Sequence, residues 1–114
     1  MKIETFLDNL KQAPESMDFS QTMAVIETNY SYQPTRFENG SVINDAGQNE
    51  GSCKLFAFAK DQGLSQDQTL ACFGQYYWKD VLQNPQGTDH ANIRQFIITG
   101  WDGVKFDDEA LIKT

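Results

Sequence analysis

The stretch YSYQPTRFENGSVIN, Tyr30–Asn44, decides whether this chain is all-helical or mixed. Before it, apolar residues fall at helical spacing. Within it, aromatics surround a proline, and the dipeptide Asn39-Gly40 stands between two short extended runs. Asn-Gly there is a strong hairpin signal, because both turn residues must take positive φ. The reading places strands near Arg36–Glu38 and Ser41–Asn44.

On the N-terminal side, Ile3, Phe6, Leu7 and Leu10 share one helical face, ended by Pro14. Asp18 and Gln21 resemble a capping box for a second helix, with Phe19, Met23, Ile26 and Tyr30 as its stripe. On the C-terminal side, a third helix is expected from about Gly51 to Gln62, with Gly63 as its left-handed cap. Ser65 and Gln68 make an S-x-x-Q box for a fourth helix running to Asn84, buried through Leu70, Phe73, Tyr77 and Val81. Tyr76, Tyr77 and Trp78 are consecutive, so a helix cannot turn all three inward. Thr88 or Asp89 caps a fifth helix through Ile93, Phe96 and Ile97, with a β-branched strand over Phe96–Thr99 as the alternative. Val104 and Phe106 alternate as a short strand near residues 103–106, which Ala110–Ile112 can pair with. The expected fold is α+β: about five helices packed around a small antiparallel sheet, in one domain over residues 1–114.

Composition narrows the function. Sixteen acidic residues against nine Lys and Arg give a net charge of -7, with no basic cluster. Nucleic acid is therefore an unexpected partner, since phosphate neutralisation drives that affinity. Anionic membrane surfaces are disfavoured on the same ground. No apolar run approaches the ~20 residues of a membrane span, and the acidic opening MKIETFLDNLKQ does not read as a secretory signal. Two cysteines and one histidine are too few for a structural zinc site, so neither metal nor cofactor is expected. Cys53 and Cys72 read as free thiols in a reducing compartment.

Five motifs occur in order: Y-x-P-T-x-F-x-N-G (Tyr32–Gly40), N-E-G-S-C-K (Asn49–Lys54), F-G-x-Y-Y (Phe73–Tyr77), D-H-x-N-I-R (Asp89–Arg94) and G-W-x-G (Gly100–Gly103). Together they resemble the HopJ family of type III effector proteins, over about Tyr30 to Phe106. The resemblance implies a bacterial virulence protein, made in the bacterial cytoplasm and injected into plant cells through type III secretion. It carries no molecular activity and no catalytic residue. An ordered first helix is a poor secretion tag unless it unfolds.

Three readings of the motif residues follow. The first is a binding or effector module whose partner is a host protein or a small polar ligand. The second is a thiol hydrolase or acyltransferase: Cys53 in the first turn of a helix gains thiolate character, and His90 serves as its base. The third is a bacterial housekeeping protein that binds a small polar ligand through Asn44, Asn49, Glu50, Lys54, Asn92, Arg94 and Trp101. Each residue also has a plain structural reading. Asn39, Asn44 and Asn49 suit turns. Glu50 and Lys54 suit an i, i+4 pair. Arg94 suits a salt bridge, and Trp101 suits the core. The site reading requires the corner Asn39–Lys54 to lie beside Asp89–Arg94 and Trp101.

Overall fold

A computed structural model describes every residue from Met1 to Thr114. Helix α1 (Ile3–Gln12) buries Phe6 and Leu10, and a 3-10 turn at Pro14–Ser16 ends it. Helix α2 (Phe19–Asn29) starts on Asp18, whose carboxylate accepts from the Ser20 N–H. The chain then extends into β1 (Tyr30–Tyr32), β2 (Phe37–Asn39) and β3 (Val42–Asn44). Helix α3 (Glu50–Asp61) runs through the centre and buries Leu55, Phe56, Phe58 and Ala59. The Ser65–Gln68 capping box closes in both directions at the start of α4 (Gln66–Ala71). A π-helical segment follows at Tyr76–Val81, then α5 (Ala91–Thr99), β4 (Val104–Phe106) and β5 (Leu111–Lys113). The fold is α+β, as its sequence pattern predicts.

The hairpin forms, with Phe37 opposite Asn44 and Asn39 opposite Val42, but its turn is Gly40-Ser41: Asn39 ends β2, and only Gly40 of the Asn-Gly pair takes positive φ. Gly40 takes φ +57°, and a Cβ there would lie 2.4 Å from the Gln95 side chain, so only glycine fits. Two larger features also differ from expectation. First, the strands form two sheets. β4 pairs with β2 in the order β3-β2-β4, while β5 pairs with β1 instead of β4. The turn after β4 carries the chain away, and the Gln33 N–H and side-chain amide take the carbonyls of Ala110 and Glu109.

Second, the expected fourth helix is broken. α4 stops at Ala71, and Gly74 sits at φ +60°. A Cβ on Gly74 would lie 2.6 Å from the Phe19 nitrogen and 2.8 Å from the Met17 oxygen, so the chain turns there to admit the start of α2. Gln75 Oε1 then accepts the Phe19 N–H at 3.2 Å. The residues Phe96–Thr99 are helical, because Phe96 points into the core against Phe56 and Trp101. Both chain ends meet at one residue: the Asn29 side chain reaches the Met1 carbonyl, and the Thr114 N–H bonds the Asn29 carbonyl at 3.1 Å.

Candidate functional site

Asparagine chemistry joins the hairpin to α5. Asn39, Asn44 and Asn92 are almost wholly buried. Asn39 Nδ2 donates to the Asn92 carbonyl at 2.8 Å and to Asn92 Oδ1 at 3.1 Å. Asn44 Nδ2 also donates to Asn92 Oδ1, and Asn92 Nδ2 returns a bond to Asn44 Oδ1 at 2.9 Å. Asn49 Nδ2 completes the chain by donating to Asn44 Oδ1 at 2.7 Å. Buried amides are tolerated when partnered in this way. Asn39 Oδ1 alone is left without a partner.

Above this network lies a half-open cavity of about 250 Å³, between the first turns of α3 and α5. Asn49, Ser52, His90 and Asn92 line one part of it, and Phe19 and Tyr76 another. Asn49 and His90 precede the two helices, and both adopt left-handed backbone at φ +50° and +51°. They are the only non-glycine residues that do so, and neither caps its helix with its side chain. His90 Nε2 lies 2.9 Å from Asp80 Oδ2, and its ring stacks on Tyr76 at 5.1 Å.

The remaining predicted residues have other duties. Cys53 is buried, lies outside the cavity lining, and directs its thiol at the Thr35 carbonyl 3.6 Å away. Burial pushes that thiol's pKa up, the reverse of what a nucleophile at neutral pH needs. Lys54 pairs with Glu27 at 3.3 Å and covers the Tyr32 ring, not Glu50, because the turn of α3 aims it at α2. Glu50 is exposed beside the Tyr32 hydroxyl, which is buried and unpaired and whose pKa burial raises. Arg94 clasps its own loop: it donates to the carbonyls of Asp89 and Asn84 and to the Asp89 carboxylate at 2.7 Å. That guanidinium holds the Asp89 carboxyl below the usual range. Trp101 packs between Phe56 and Phe96, and its indole N–H reaches the Leu64 carbonyl at 3.0 Å.

The two corners therefore meet through Asn39, Asn44, Asn49, His90 and Asn92. Asn44, buried beneath the cavity, and Cys53, Glu50, Lys54, Arg94 and Trp101 fall outside its lining. Sequence reasoning overlooked Ser52, Phe19 and Asp80. The consecutive Tyr76, Tyr77 and Trp78 did signal an outward ring: Trp78 bonds the Pro14 carbonyl, and Tyr76 faces the cavity.

No curated protein matches the chain. A crystal structure of the unknown-function protein VPA0580 is similar to it over 100% of this chain and 95% of that one, with 49% identity and a TM-score of 0.98. Residues 3–111 match the HopJ type III effector protein family, and the chain therefore belongs to that family.

Proposed function

We propose that the protein is a type III effector-like protein that acts by binding, with a small polar ligand held in the cavity between the first turns of α3 and α5. One observation carries this reading: both non-glycine residues in the left-handed region, Asn49 and His90, line that one cavity. Such backbone costs about 1–3 kcal/mol per residue and concentrates where function fixes a side chain. Thiol chemistry has no support from the geometry, since Cys53 is buried away from His90's cavity with a raised pKa. Family membership supports export from a bacterium, and no helix is long and apolar enough to cross a membrane.

Amide NMR of the full chain, titrated with a panel of small amides, alcohols and acids, tests the binding site. Shifts confined to Asn49–Ser52 and His90–Ile93 are expected. Shifts around Leu64 and Trp101 alone would move the site elsewhere. Fractionation of a type III-competent strain beside its secretion mutant tests export: protein in both culture fluids, or in neither, would remove the effector part of the reading.

A further inference from the structure

Three rings run in series along one side of the cavity. Phe19 leans on Tyr76 at 5.0 Å, and Tyr76 lies over His90 at 5.1 Å, only 29° from parallel. All three are half-buried and give part of their surface to the cavity. Gly51 makes room for this wall, since a Cβ there would come within 2.9 Å of the Phe19 ring. Aromatic rings pair favourably with another ring, offset or edge-on, beyond what area burial supplies. A saturated molecule of equal size forgoes that gain.

The opposite side sets the polarity. Asn49 Nδ2 is held by Asn44 Oδ1, so the amide has one orientation, and its Oδ1 carries no protein partner. That oxygen can only accept. Ser52, whose hydroxyl bonds no protein group, can both donate and accept. A ligand edge that satisfies both must offer a donor. A primary amide or a hydroxyl does so; a carboxylate, an acceptor at both oxygens, does not. Charge agrees in disfavouring an anionic edge, because Asp80 and Asp89 stand 2.9 and 3.9 Å from His90 and Glu50 adjoins Gly51. The volume of about 250 Å³ corresponds to about eight waters at ~30 Å³ each, the room of one ring with a small substituent.

We infer that the cavity takes a small, neutral, planar ring compound that bears a primary amide or hydroxyl at one edge. This rests on the cavity being the ligand site. The test is an amide NMR titration of the full chain with benzamide, benzoate and cyclohexanecarboxamide. Benzamide shifts the signals of Asn49–Ser52 and His90–Ile93 and binds at least tenfold more tightly than either of the others. Asn49→Gly keeps the left-handed backbone, and Ser52→Ala keeps the helix; each weakens benzamide severalfold and narrows its margin over benzoate. If cyclohexanecarboxamide matches benzamide, or benzoate exceeds it, the ring or the neutral edge is wrong while the cavity remains a ligand site. If none of the three moves those signals, the inference and the reading beneath it both fall. If benzamide binds but neither variant changes its affinity, the polar edge is wrongly placed and the inference is overturned.

Discussion

Asn92 joins α5 to the hairpin beneath the cavity: its side chain serves Asn39 and Asn44 at once. Asn92→Ala leaves Asn44 Nδ2 without its partner and removes one of the two bonds of Asn39 Nδ2, which keeps the Asn92 carbonyl; both side chains are wholly buried. A buried polar group left unsatisfied costs ~1–3 kcal/mol, so a loss of about 2–3 kcal/mol is expected in urea unfolding. Glycines supply a sharper contrast. Gly74 and Gly47 both sit at positive φ, but a Cβ on Gly74 meets backbone while one on Gly47 meets nothing within 4 Å. Gly47→Ala should cost about 1–2 kcal/mol, the left-handed penalty alone. Gly74→Ala should cost clearly more and lower the melting temperature further. The cysteines give a third test. Both are free and buried, and burial pushes Cys72 up to about 12. A thiol reagent should find no reactive thiol in the native protein and two after unfolding; a rapidly labelled native Cys53 would reopen thiol chemistry.

Among the elements, α1 shows how far local pattern reaches. The spacing of Phe6 and Leu10 marks its buried face, and the structure buries both. At ~1.5–3 kcal/mol per buried side chain, removing residues 1–10 should cost several kcal/mol and lower the melting temperature markedly. An unchanged melting curve would make the helix dispensable. The hairpin around Gly40 and the Ser65 capping box were legible, because each is settled within a few residues, although the turn itself falls one residue later, at Gly40-Ser41. The break at Gly74 was not. Its cause is the backbone of Met17–Phe19, far away in the chain, and nothing local distinguishes it from a tolerated helix glycine. The π-helical turn and the pairing of β5 with β1 are tertiary results of the same kind. The candidate site divides the same way. Asn44, Asn49, His90 and Asn92 stood out as polar residues crowded at corners. Asp80 had no such mark, and Cys53 and Trp101 were drawn in by side-chain type although their neighbours turn them into the core.

Taken whole, the molecule has a radius of gyration of 13.2 Å, close to the ~13 Å expected for a chain this long. Its five strands form small sheets on a helical core, and one of these sheets joins residues far apart in the sequence, Tyr32 with Leu111. Such pairing slows folding, since a long loop must close before any contact rewards it. The meeting of Met1 and Thr114 at Asn29 allows that delay to be shortened. A short glycine-serine link between the ends, with a new opening in the exposed turn between Asp107 and Asp108, yields a circular permutant in which β5 precedes α1. Only the link, α1, the 3-10 turn and α2 then separate β5 from β1, a shorter stretch than the one from Gln33 to Ala110 that separates them in the parent. Stopped-flow refolding should be faster than for the parent, with the cavity amides of Asn49 and His90 unshifted. The order in which these segments are strung together is thus separable from the shape they make.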